Sequence, residues 1–150
     1  MKIRRYAPSD IDEIINLFYN TVHTVNACDY TSEQLDAWAP RNMDSAEWNA
    51  SLKRNFAIVA TDGKKIIGFG DIDANGYLDR LYVHAGYTGR GVGTAICREL
   101  ESFARGDVIT HASVTAKPFF ERMGYVAVKE QSVMRRGVYL KNYVMKKKRK

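Results

Sequence analysis

The sequence is poor in cysteine and proline, with Cys28, Cys97 and three prolines among 150 residues. Two distant cysteines offer neither a disulfide framework nor metal-ligand spacing, so a stapled secreted fold and a metal site are both unexpected. No apolar run is long enough to span a bilayer, so no membrane association is expected. Met1-Lys2-Ile3-Arg4-Arg5 begins like the charged start of a secretion signal, yet no apolar stretch follows, which predicts a cytoplasmic chain. Carboxylates are the scarcer charge, 17 against 23 Lys and Arg, for a net charge of +6. Part of that surplus lies in Lys146-Lys147-Lys148-Arg149-Lys150, which reads as a flexible solvated tail. The other positive charges are scattered, with no basic stripe interleaved with aromatics, so nucleic acid is not an expected partner. What remains fits one globular domain spanning residues 1–150, large enough to bury roughly two-thirds of its unfolded surface.

What is present centres on Tyr77 to Leu100. Tyr77-Leu78-Asp79-Arg80-Leu81-Tyr82-Val83 has the aromatic and branched content of a strand. Val92, Ile96, Leu100 and Phe103 fall at helical spacing. Between the two stand Gly89, Gly91 and Gly93, at every second position. A strand running through bare glycines into a helix offers main-chain N–H groups at the positive end of the helix dipole. Gly91 and Gly93 hold no side chain that would keep a phosphate away. The stretch reads as an anion cradle suited to a nucleotide pyrophosphate. A nucleotide-hydrolase loop needs Gly-Lys-Ser/Thr, and no lysine is present here. A dinucleotide fingerprint needs a third glycine at Thr94 and a carboxylate on the next strand, and Val108 to Ser113 ends without one.

Thr88-Gly89-Arg90-Gly91-Val92-Gly93 resembles the Gln/Arg-x-x-Gly-x-Gly/Ala motif of the GNAT superfamily of acyl-CoA-dependent N-acyltransferases, with Thr88 where the family usually has Gln or Arg. Leu81-Tyr82-Val83-His84 resembles the strand that the family places beside the pantetheine arm. Further on, Ser113 to Tyr125 resembles Asn-x-x-Ala-x-x-Phe-Tyr-x-x-x-Gly-Phe: Ala116, Phe119, Gly124 and aromatic Tyr125 match, Ser113 replaces Asn and Phe120 replaces Tyr. The resemblance implies acetyl-CoA as donor and an amine as acceptor. It places the donor against Leu81, Tyr82, Val83, Thr88, Gly89, Arg90, Gly91, Val92, Gly93, Thr94, Ser113, Phe119 and Phe120. A homodimer is left open.

The remaining elements agree with that fold. Lys2 to Tyr6 is a strand, and Ser9 with Asp12 forms a capping box for a helix whose apolar face holds Ile11, Ile14, Ile15, Phe18, Val22 and Val25. Thr31-x-x-Gln34 and Asp44-x-x-Glu47 open two short helices. Strands Phe56 to Ala60, Ile66 to Ile72 and Tyr77 to Val83 are joined by Asp62-Gly63 and Asn75-Gly76 turns, an antiparallel meander. Val108 to Ser113 is a fifth strand, the run Thr115 to Tyr125 a short helix with proline in its first turn and Gly124 just past its end, and Val126 to Gln131 with Val138 to Met145 a closing hairpin. The expected fold is α/β of the α+β type: a mixed, mostly antiparallel twisted sheet of about seven strands flanked by helices.

An N-acetyltransferase must polarise a thioester carbonyl, accept a proton from the amine and let a thiolate leave. Main-chain N–H groups near Leu81 and Val83 suit the first task. Strand alternation puts Tyr77, Asp79, Leu81 and Val83 on one face, which makes Asp79 the candidate base, with Asp71 and Asp73 as alternates. The competing structural reading of Asp79 is an ion pair with Arg80 or Arg122. His111 shares a strand face with Ser113 and is a second candidate. The family's acid is the tyrosine that is Phe120 here, and phenylalanine has no proton to give. Ser113 can hydrogen-bond the cofactor but is a poor acid, and solvent can protonate the departing thiolate. His23, Asp29, Tyr30, Trp38, Asp71 and Tyr77 are candidates for holding the amine, whose identity stays open between an antibiotic, a polyamine, an amino acid and a protein. A non-catalytic CoA sensor of the same fold is the alternative.

Overall fold

Seven strands hydrogen-bond into one sheet in the order β1-β2-β3-β4-β5-β7-β6, in a computed structural model that describes residues 1–149. β1 (Lys2–Arg5), β2 (Phe56–Asp62), β3 (Lys65–Ile72) and β4 (Tyr77–Val83) form the antiparallel half. β5 (Val108–Ser113) lies parallel to β4, and β7 (Val138–Lys147) joins β5 to β6 (Val126–Arg135). The mixed sheet flanked by helices is the expected fold.

Helices cover both faces. α1 (Ile11–Thr24), α2 (Ser32–Trp38) and α3 (Ser45–Arg54) pack on one face, burying Ile14, Phe18, Val22, Leu35 and Leu52 with Val59 and Phe69 of the sheet. α4 (Val92–Phe103) and α5 (Lys117–Arg122) cover the other, with Ile96, Leu100 and Phe120 against Ile58, Ile67 and Leu78. α4 lies close to β3 because Gly68 and Gly70 are bare: a Cβ at Gly68 would meet Ile96 at 2.8 Å, and one at Gly70 would meet Leu100 at 3.0 Å. Phe103 departs from the expected buried stripe. It is 46% exposed and stacks flat on Phe56 with ring centroids 4.5 Å apart.

Thr31 and Gln34 form the predicted capping box, and Asp44 accepts from the Ala46 and Glu47 N–H groups. The start of α1 differs from expectation. Asp10, not Ser9, organises it, accepting from the Ala7 N–H at 2.9 Å and from both terminal nitrogens of Arg4. The Arg4 guanidinium holds the Asp10 carboxyl below the usual carboxylate range. Pro8–Asp10 is consequently a 3-10 turn and α1 begins at Ile11. The closing hairpin is longer than expected, turning through Arg136 and Gly137, both at positive φ. Lys146 and Lys147 belong to β7, and the Arg149 N–H donates to Asp107, so these residues of the expected flexible tail are held in the fold. Lys150 lies outside the described residues.

Two irregularities set up the site. β4 and β5 pair only at Tyr77–Ile109 and Leu78–Thr110, beyond which no pairing joins them. β4 also bulges: Leu81 pairs with Gly70 and Arg80 with Asp71, but Ile72 pairs with Leu78, leaving Asp79 unpaired. An extra residue reverses strand phase. Leu78, Leu81 and Val83 therefore pack together on the α4 side, Tyr82 packs on the α1 side, and the expected shared face of Tyr77, Asp79, Leu81 and Val83 does not form.

Candidate active site

The divergence of β4 from β5 opens a cleft through the sheet, with three joined cavities along it. The outermost, about 530 Å³, lies over the start of α4 and is lined by Gly89, Gly91, Gly93, Thr94, Phe119 and Arg122. Gly91 is the N-cap residue at φ 81°, a left-handed conformation that favours glycine, and no side chain caps the helix. The first-turn N–H groups of α4 have no partner within the helix and point to the dipole's positive end. Arg122 adds a full positive charge on the same wall.

The middle cavity, about 220 Å³, lies in the cleft itself and shares Val83, Thr88, Gly93, Thr115 and Phe119 with the first. Its walls include Leu81, Val83, Ser113 and Phe120. The His84 N–H donates to the Ile67 carbonyl at 2.8 Å, which sets the phase of the antiparallel ladder. With alternate residues bonded to β3, the main-chain groups of Leu81 and Val83 face the cleft. The Thr21 hydroxyl already donates to the Val83 carbonyl at 3.1 Å.

The innermost cavity, about 240 Å³, opens on the α1 side and is walled by rings: Phe18, Tyr30, Trp38, Trp48, Tyr77 and Tyr82. Trp38, Asp79, Tyr82, His111 and Ser113 line both it and the middle cavity. A long donor can thus lie from the helix start through the cleft, with its end meeting an aromatic chamber at Asp79.

A family model of the acetyltransferase (GNAT) domain matches residues 26–147. The chain belongs to the GNAT acetyltransferase family. It is 34% identical over 148 residues to the uncharacterized N-acetyltransferase YafP of Escherichia coli (strain K12), covering 99% of this chain and 96% of that one. A GCN5-related N-acetyltransferase of Rhodopseudomonas palustris superposes with a TM-score of 0.95 at 33% identity, over 98% of this chain and 94% of that one. The PaiA N-acetyltransferase of Thermoplasma acidophilum, solved with coenzyme A, shares the fold at a TM-score of 0.82 and 18% identity, over 99% and 98% of the two chains.

Within this GNAT frame the predicted residues divide. Asp79, His111 and Ser113 come together where the middle and inner cavities meet. The Asp79 carboxylate is about a third exposed and lies 3.6 Å from Arg80, so the ion pair and the cavity position coexist. His111 packs edge-on to Tyr77, with ring centroids 5.2 Å apart. Ser113 Oγ accepts from the Ala116 N–H at 3.0 Å and from the Asn26 amide at 3.4 Å, which leaves its own proton to donate. Burial, reinforced by the Asp79 charge, raises the Tyr77 phenol to about 12, so it stays protonated.

Several candidates are placed elsewhere. The His23 ring nitrogen hydrogen-bonds the Ala39 carbonyl at 2.8 Å and the ring stacks on Tyr19; it ties α1 to the end of α2, off the walls of these three cavities. Asp29 accepts from the Thr115 hydroxyl and holds a loop. Asp71 is fully buried behind Arg80 and Asn55, and Asp73 is bound to the Asn75 and Tyr77 N–H groups in a turn, so neither alternate base reaches the cleft. Tyr30 contributes its ring, but its hydroxyl is committed to Lys141 and Val114 main chain. Val92 is buried beneath the cradle, and Arg90 lies over the Tyr87 ring instead of on the cavity wall. Tyr82 packs on the α1 face, opposite Leu81 and Val83 by ordinary strand alternation, and lines both the middle cavity and the aromatic chamber.

Thr21, Asn26, Trp48, Arg80, Arg135 and Asn142 line the cavities without having been singled out by the sequence. Thr21 did leave a signal: a hydroxyl three residues after Phe18 and four before Val25, on the apolar stripe of α1. The others are brought in by tertiary contacts with no local mark.

Proposed function

We propose that this enzyme moves the acetyl group of acetyl-CoA directly to a primary amine seated in the aromatic chamber, with Asp79 receiving the amine proton. The observation that carries this reading is the meeting of two cavities of different character at Asp79, His111 and Ser113. The donor site fits its ligand physically. A Cβ at Gly93 would come within 3.2 Å of Phe119 and 3.6 Å of Val83, filling the neck between the outer and middle cavities. When bound, acetyl-CoA supplies the thioester carbonyl that an amine attacks and the thiolate that departs.

In this reading the protein's part is placement and proton handling. The first-turn N–H groups of α4 and Arg122 hold phosphate charge, and the main chain of Leu81 and Val83 pairs with the amides of the arm. An amine is mostly ammonium near neutral pH, so the carboxylate of Asp79 makes the reactive form available. Ser113 presents an uncommitted hydroxyl proton at the junction, as does the buried phenol of Tyr82, where the ring of Phe120 offers none. Holding both partners in adjoining cavities supplies much of the acceleration. A GNAT chain that only sensed CoA would bind the donor without turnover. The test is thiol release from acetyl-CoA across a panel of primary amines: amine-dependent release supports transfer, and tight CoA binding with no release on any amine supports the sensor. The same reading takes the chain as a single cytoplasmic domain; no helix is long and apolar enough to cross a membrane among the described residues.

A further inference from the structure

The aromatic chamber carries an unbalanced positive charge. Its ionisable lining residues are Asp79, Arg80, His111, Arg135 and Lys141. Arg80 is committed: its guanidinium is 3.3 Å from Asp71 and 3.6 Å from Asp79, donates to the Ser51 hydroxyl, and lies over the Trp48 ring. Lys141 pairs with Glu130 at 3.2 Å. Arg135 donates only to the neighbouring Met134 carbonyl, and no carboxylate lies within ion-pair distance of it among the described residues. Arg135 is exposed at the chamber rim, and the guanidinium donors it does not spend on Met134 are open to solvent and to a planar anion held there.

The opposite end of the chamber suits an amine. Asn142 lies across from Ser113 in the β5–β7 register, lines the chamber, and has a buried Oδ1 without a hydrogen-bond partner. A carboxamide oxygen accepts an N–H and is mismatched to a carboxylate. Arg135 pairs with Val138, four residues along β7 from Asn142, about 13 Å of strand, part of which the arginine stem spans. The rings of Trp38, Trp48 and Tyr82 line the same chamber. A volume of about 240 Å³ equals that of about eight waters, which admits a small molecule.

On the acetyltransfer reading above, we infer that the acceptor is a small aromatic amine that also carries an anionic group, with its amine at Asp79 and Asn142, its ring among the tryptophans and its anion on Arg135. A polyamine would bring a further ammonium group towards the unpaired Arg135 and be repelled.

Matched pairs test this in the intact protein: L-phenylalanine against phenylalaninamide, and 4-aminobenzoate against 4-aminobenzamide, with spermidine as the polycation. Trp38 and Trp48, the two tryptophans of the chain, both line the chamber, so fluorescence quenching in the presence of CoA reads acceptor binding independently of turnover. At least one carboxylate is expected to exceed its amide by about tenfold or more in binding and in kcat/KM, as one charge-assisted pair permits. The phenylalanine pair reports an aliphatic amine and the aminobenzoate pair an aryl amine. Arg135→Gln should erase the ratio and Arg135→Lys keep part of it. Amides or spermidine equalling the carboxylates, a ratio that survives Arg135→Gln, or no quenching by either carboxylate overturns the inference. Carboxylate-selective quenching without thiol release supports the inference and overturns the acetyltransfer reading instead.

Discussion

The two ends of the cleft are built from different materials. The donor end is main chain: a left-handed Gly91, an uncapped helix start and strand groups that β5 never pairs. The acceptor end is side chain, six rings and a set of charges contributed by α1, α2, α3, β4 and the closing hairpin. A main-chain cradle needs particular backbone conformations, so few residue types serve and they recur as a motif. A side-chain chamber needs only volume and charge, which many combinations supply. The donor end can therefore be shared across a family, while the acceptor end is free to differ from one member to the next.

If both ends meet at Asp79, removing its charge should have the largest effect. Asp79→Asn keeps the shape and the cavity wall, and kcat is expected to fall by about 10²–10⁴-fold. The remaining rate should rise with pH as solvent supplies the neutral amine, displacing the profile towards alkaline pH. An Asp79→Asn enzyme with an unmoved pH–rate profile would place the base elsewhere.

The donor end can be perturbed sterically. Gly91 is a poor choice, since at φ 81° a β-branched residue strains the fold whether or not a ligand is present. Gly93 is helical, and a Cβ there already meets Phe119 at 3.2 Å, so Gly93→Ala should weaken CoA binding, and less than a larger residue does. Gly93→Val crowds Phe119 and the neck, and a steric cost of about 1–3 kcal/mol borne when CoA occupies the neck corresponds to a rise of about 5- to 150-fold in the CoA dissociation constant. Acceptor binding should stay as it was. Calorimetry with CoA reads the first and fluorescence the second. Equal losses at both ends would break the division between them.

The acceptor end alone rests on a buried charge. Desolvation raises Asp71 from 3.8 to about 6, outweighing the opposing pull of Arg80. The folded state holds that proton more tightly than the unfolded chain does. Stability from this group is therefore complete below pH 3.8 and is lost as pH rises towards about 6, by at most about 3 kcal/mol. Denaturant titrations across this range should show that decline in the wild type and a flatter line in Asp71→Asn. Parallel lines for the two proteins would mean that the carboxyl is not burdened by its burial.

The same division explains what could be read from the sequence. β4 and β5 end where their composition says, and the cradle glycines, the second motif and the seven-strand sheet follow from local pattern. Asp79 was reached through an alternation that the bulge breaks: its position at the junction holds, while Tyr77 turns to the other face. A bulge is a property of two strands and leaves no mark on one. His23 and Asp29 look suited to an amine as residue types, but each is occupied by a main-chain or hydroxyl partner that no local rule foretells. Arg135 and Asn142 reach the chamber because β7 inserts between β5 and β6, an order that sequence adjacency does not suggest.

Direct transfer between two adjoining cavities makes one demand that needs no knowledge of the natural acceptor. No acetyl group should rest on the protein: Cys97 is buried and held up to about 12 by desolvation, and Cys28 lies outside the cavities. The measurement is the intact mass of the enzyme after incubation with acetyl-CoA, first alone and then with a reactive amine. Transfer in a ternary complex predicts an unmodified chain at both stages and thiol release only after the amine is added. Stoichiometric acetylation of a residue lining the cleft before any amine is present, with loss of the label when amine is added, would contradict it.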